Sequence, residues 1–116
     1  MAIPAESKLS GSTNGRPIPV VATATPGTTI HTAGATGYDK VWLFASNVTA
    51  AVATLTVEWG GVTDPGDHLV KAYSIPANSS AVPIAIGLIV QGALVVKAFS
   101  GTASAINITG FVIRVV

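Results

Sequence analysis

Residues 72–96 of this 116-residue chain carry no charged side chain, and the run overlaps IAIGLIVQGALVVKAF, residues 84–99, where Lys97 is the single charge. A chain containing such a run must hide it in a membrane, in an aggregate or inside a fold. A membrane helix needs about twenty apolar residues with few breakers. Here Pro76, Asn78, Ser79, Ser80, Pro83, Gly87 and Gly92 interrupt the run. An outer-membrane barrel would want a signal peptide, strands of about ten residues and two aromatic girdles. Aromatic residues are only 6% of this chain, and MAIPAESKLSG lacks a basic region followed by an apolar one, so no secretory signal and no membrane association are expected.

The local chemistry favours strands. Val (15), Ile (10) and Thr (13) make 38 of 116 residues β-branched, and such side chains suit a pleated surface better than a helix. Short β-like runs alternate with turn residues: VVATAT (20–25), TTIHTA (28–33), KVWLFASN (40–47), ATLTVEWG (53–60), HLVKAYSI (68–75), AVPIAIGLIV (81–90), ALVVKAFS (93–100) and AINITGFVIRVV (105–116). Residues 84–90 and 94–99 read as a hairpin joined at Gln91-Gly92-Ala93. Ile106 and Ile108 share one parity while Phe111, Ile113 and Val115 share the other, which predicts a bulge or bend at Gly110. The expected fold is all-β: an antiparallel sandwich of about eight strands over residues 20–116, jelly-roll or Greek-key like, with an extended N-terminal arm.

Two runs are apolar on both parities. Ile84, Ile86, Leu88 and Val90 alternate with Ala85, Gly87 and Ile89, and Val41 and Leu43 alternate with Trp42 and Phe44. Strands of that kind are buried on both faces, and a sandwich this small cannot cover the outer faces itself. A neighbouring molecule is therefore expected to cover some of them. Residues 1–19, rich in Pro, Gly, Ser and Asn, cannot order themselves by burial. They are expected to form a partner-binding arm using Ile3, Leu9, Arg16 and Ile18.

Chemistry is sparse. Charged residues are 9%, against about 25% in an ordinary domain. Lys8, Arg16, Lys40, Lys71, Lys97 and Arg114 stand singly, which argues against nucleic acid as a partner. There is no cysteine. GVTDPGDH gathers Asp64, Asp67 and His68 into candidate cation ligands, but Asp-Pro-Gly-Asp is also a turn in its own right. No nucleophile elbow or phosphate loop is present, and the two histidines, His31 and His68, have no evident catalytic companions. Neither an enzyme, a cofactor nor a small-molecule ligand is expected. Trp42, Trp59 and Tyr73 could anchor an interface or offer a sugar platform.

Residues 38–116 carry a further pattern: Ile75-Pro76-Ala77 before a polar turn, Gly87-Leu88 and Gly92-Ala93 in an apolar pair of strands, and Gly110-Phe111-Val112-Ile113-Arg114 in the last strand. In this the chain resembles small β-sandwich virion proteins of tailed bacteriophages, most of all capsid decoration or cement proteins. The resemblance implies a homotrimer, made in the host cytoplasm, that sits on the virion surface and stabilises the shell of major capsid protein. The alternative is a head-fibre or tail-associated module that binds host carbohydrate.

Overall fold

The computed structural model describes residues 4–116 and contains nine strands and, among those residues, no helix. The strands are β1 (Pro4–Lys8), β2 (Ile18–Pro19), β3 (Thr28–Thr32), β4 (Tyr38–Asn47), β5 (Ala53–Trp59), β6 (His68–Ile75), β7 (Val82–Gln91), β8 (Val95–Ser100) and β9 (Ile106–Val115). Every pairing is antiparallel. A front sheet runs β1-β9-β4-β7, with β2 also on β9, and a back sheet runs β3-β8-β5-β6. If β1 and β2 are counted as one interrupted strand, the two sheets have the interleaved order of a jelly roll.

Alternation explains the core. In β4, Val41, Leu43 and Ala45 point inward; in β9, Ile106, Ile108 and Val112 do so. Leu55 and Val57 of β5 and Val96 and Ala98 of β8 meet them from the back sheet, all fully buried. The expected sandwich is therefore present, but four local readings change.

The first concerns the N-terminal segment. Leu9 and Ile18, expected to seat on another molecule, are buried in this chain's own core, at 1% and 5% exposure. Pro4–Lys8 forms a ladder with Val115–Phe111 of β9, and Ile18 pairs with Ile108. The segment orders because β9 supplies the backbone partners that its own sequence cannot. Arg16 is exposed, and Ile3 lies outside the described residues.

The second is VVATAT. It forms no strand but crosses from the front sheet to the back: the Val20 amide donates to Ile106, and the Ser100 amide donates to Ala22. The third is the expected hairpin. β7 and β8 do not pair; β7 is an edge of the front sheet and β8 is interior to the back sheet, so residues 91–94 turn a corner between layers.

The fourth is Gly110. Ten consecutive pairs, from Tyr38 with Val115 to Asn47 with Ile106, run without a register break. The phase does not flip; Ile106, Ile108 and Val112 face the core, and Phe111, Ile113 and Val115 face outward. Gly110 is needed for a different reason. A Cβ there would run into the carbonyl oxygen of Trp42 on the neighbouring strand.

Leu9→Ala should cost about 3 kcal/mol, as for other buried leucines, and deletion of residues 1–19 should leave a chain that no longer unfolds cooperatively. Urea denaturation followed by tryptophan fluorescence reads both. A truncated protein as stable as the full chain would show that the N-terminal strands are dispensable.

Candidate functional site

The outward side chains of the front sheet form the most unusual surface. Opposed residues share a face, so Trp42 lies between Phe111 of β9 and Ile86 of β7, and Lys40 lies between Ile113 and Ile89. The Trp42 and Phe111 rings stack with centroids 4.8 Å apart and planes 5° from parallel. Ile86 is 59% exposed and Ile89 52%. Tyr38, Phe44 and Val115, half-buried, extend the same face. Outward positions of a solvated sheet are normally polar, whereas the centre of this face is built from aromatic and branched aliphatic groups around Lys40.

Trp42 and Phe111 meet because Gly110 lets β9 run close beside β4. At Gly87 the β7 register shifts by a bulge, and the absent side chain leaves room for the Trp42 ring, which a Cβ would meet at 3.2 Å. Trp59 is different. It packs partly against the core, and its indole N–H donates to the Ile89 carbonyl at 3.2 Å. That contact takes up a backbone acceptor on the edge strand β7. Tyr73, on the edge strand β6, is 47% exposed. Trp42 thus lies on the outer face of the front sheet, Trp59 reaches β7 from the back sheet, and Tyr73 stands on the far edge of the back sheet.

Beneath the front sheet lies a buried ionic cluster. Asp39, fully buried, accepts from Arg114 at two points, Nε at 2.8 Å and a terminal nitrogen at 2.9 Å, and contacts His31 Nε2 at 2.7 Å. His31 Nδ1 accepts the Ser10 amide at 3.0 Å. Nδ1 therefore lacks a proton, and Nε2–H donates to Asp39. The cluster joins β3, β4, β9 and the turn after β1. Both imidazole nitrogens are engaged and the ring is 1% exposed, so the pair acts as a structural clamp, with no free nitrogen facing a cleft. The Arg114 guanidinium, aided by His31 and opposed by burial, holds the Asp39 carboxyl down at about 2. Asp39 shares its parity with Val41 and Leu43, and that was the one sequence signal of its burial.

Glu58 is also buried; it accepts the Gly27 amide at 2.7 Å and the Thr25 hydroxyl. It fastens the crossing segment onto the outer side of the back sheet. Glu58 is thereby covered, and Thr56, on the same side of β5, accepts the Ala72 amide at 2.9 Å.

In the candidate cation loop Asp64 and His68 lie side by side, while both carboxylates are engaged by other groups. Asp64 binds Lys71 at 2.8 Å, and Lys71 draws its carboxyl below the ordinary range. Asp67 accepts the Thr63 amide at 3.0 Å. The His68 side chain packs edge-on against Phe99, with Nδ1 at 3.5 Å from Asp64. Among the described residues, no three metal-binding side chains converge. A surface hollow of about 450 Å³ lies between Thr13, Arg16, Ile18 and Asn107 and has a single charge, Arg16.

Comparison with family models, with curated proteins and with solved structures finds no match to this chain.

The Asp39 clamp predicts an acid limit. Its folded-state value is depressed, so its contribution is fully present above the unfolded value of 3.8 and is lost as pH falls toward about 2. The size is about 2 kcal/mol. In urea titrations between those pH values, Asp39→Asn should remove that acid-dependent loss while lowering stability at neutral pH, because Arg114 loses its partner. An unchanged pH profile in the variant would exclude the clamp.

Proposed function

We propose that this protein is a structural virion subunit that decorates a phage capsid and stabilises it by binding the assembled shell of major capsid protein. The observation that carries the reading is the apolar outer face of the front sheet. Apolar patches of this kind on a soluble domain are contact surfaces or liabilities. The jelly-roll order agrees with a shell-associated role, since that architecture recurs in viral coat and lectin domains, although a fold by itself assigns no function. The sequence resemblance in residues 38–116 supplies the phage context.

The mechanism is one of linkage. A subunit with affinity for the assembled, expanded shell and none for free capsid protein lowers the free energy of the assembled state. At a free concentration one hundred times Kd the gain is about 2.7 kcal/mol per site. No bond is made or broken, so the work is done by burial of apolar area and by shape.

The contact is not assigned to Leu9 and Ile18, which serve the core. It falls on the outer face and on the edge strand β7, whose Ile86 and Ile89 are the most exposed large apolar side chains of that face. The carbohydrate alternative would need an open ring. One face of Trp42 is taken by Phe111, and the Trp59 indole is fixed to Ile89.

Purified protein mixed with undecorated, expanded phage heads should co-sediment with them and raise their disruption temperature. The Ile86→Asp, Ile89→Asp double variant should remain folded and bind at least about tenfold more weakly, given two desolvated charges in the contact. Equal occupancy by the variant would remove this face from the contact.

A further inference from the structure

The outer face also has a pattern that suits a second copy of the same face. This inference rests on reading that face as an assembly surface, and it names the partner. Across the strand order β1-β9-β4, the outward rows are Pro4–Val115–Tyr38, Glu6–Ile113–Lys40 and Lys8–Phe111–Trp42. The midline on β9 is apolar in all three rows. The flanks are complementary across it: proline opposite a phenol, acid opposite base, base opposite an indole.

We propose that two copies of the chain pair face to face about a two-fold axis that runs along β9. A half-turn about that axis keeps each row in place and exchanges the β1 and β4 columns. Glu6 then lies over Lys40 of the second copy, Lys8 over its Trp42 and Pro4 over its Tyr38. Phe111, Ile113 and Val115 face their own counterparts. Each flank contact occurs twice, as an isologous interface requires. Packed sheets lie about 10 Å apart, a gap that opposed glutamate and lysine side chains can close.

The charges select this axis over its neighbour. An axis midway between β9 and β4 would set Glu6 over Ile89 and Lys40 over Ile113, and so desolvate both charges without partners. With the axis on β9, the β7 column stays outside the overlap, so Ile86 and Ile89 remain free for a different contact. The pairing makes a dimer, not the threefold ring that the family resemblance implies.

The test is sedimentation equilibrium of the full chain over a concentration series reaching about 1 mM, where even a millimolar Kd is visible. A dimer is expected. Glu6→Lys and Lys40→Glu should each raise its Kd at least about tenfold, since each sets like charges together twice. The double exchange, E6K with K40E, should return Kd to within about threefold of the original. Circular dichroism shows that each variant is folded, and recovery in the double variant excludes a folding defect as the cause. A monomer at every concentration, a trimer, single variants that still pair fully, or a double variant no better than the singles would each overturn the proposal. A monomer that still coats heads removes the pairing and leaves the decoration reading intact; a dimer that ignores heads does the reverse.

Discussion

The organisation of this molecule depends on β9 more than on any other strand. It pairs with β1 and β2 on one side and with β4 on the other. On the β1/β2 side only Thr109 and Gly110 fall in the gap between the two ladders. The same ten residues divide their side chains between two environments, with Ile106, Ile108 and Val112 in the core and Phe111, Ile113 and Val115 on the outer face. Because alternation in a strand is strict, the core of this sandwich can take only the inner set. The apolar outer face is therefore a choice of residues at positions that could have been polar.

The clamp at Asp39 works on the same strand. A buried carboxylate costs several kcal/mol unless it is fully paired, and here Arg114 of β9 and His31 of β3 supply the partners. Ser10 holds the second nitrogen of His31, so the turn that follows β1 is tied to the back sheet. The N-terminal segment, whose β1 residues bury almost nothing themselves, is thus fixed by Leu9, by Ile18 and by a polar network, with the β9 ladder between them. Several polar residues in this protein serve the fold: Asp39, Glu58, His31 and Asn47 are all buried.

Part of this was legible in the sequence, and the boundary has a physical basis. ATLTVEWG alternates strictly, and Leu55 and Val57 do fill the core. The two-sided apolar runs at Val41–Phe44 and Ile84–Val90 correctly marked the sheet whose outer face is apolar. Local alternation says nothing of which sheet a strand joins, so β7 and β8 read as a hairpin when they lie in different layers. Ile18 looked isolated because its partner Ile108 lies far along the chain on β9, and Leu9 because the core it enters is built mostly from later strands. The supposed phase change at Gly110 arose from counting Phe111 and Ile113 as core residues when they point outward. Asp39 sat at an inward position, but its partners Arg114 and His31 come from strands that only the folded topology brings together.

The central claim is that the outer face of the front sheet is covered when the protein does its work. Hydroxyl-radical footprinting read by mass spectrometry tests it directly, by comparing the free chain at low concentration with the chain on decorated heads. The account predicts strong protection of Trp42, Phe111 and Ile86, with Tyr73 on the back sheet left as reactive as before. Unchanged labelling of Trp42 and Phe111 in the assembled state would contradict it.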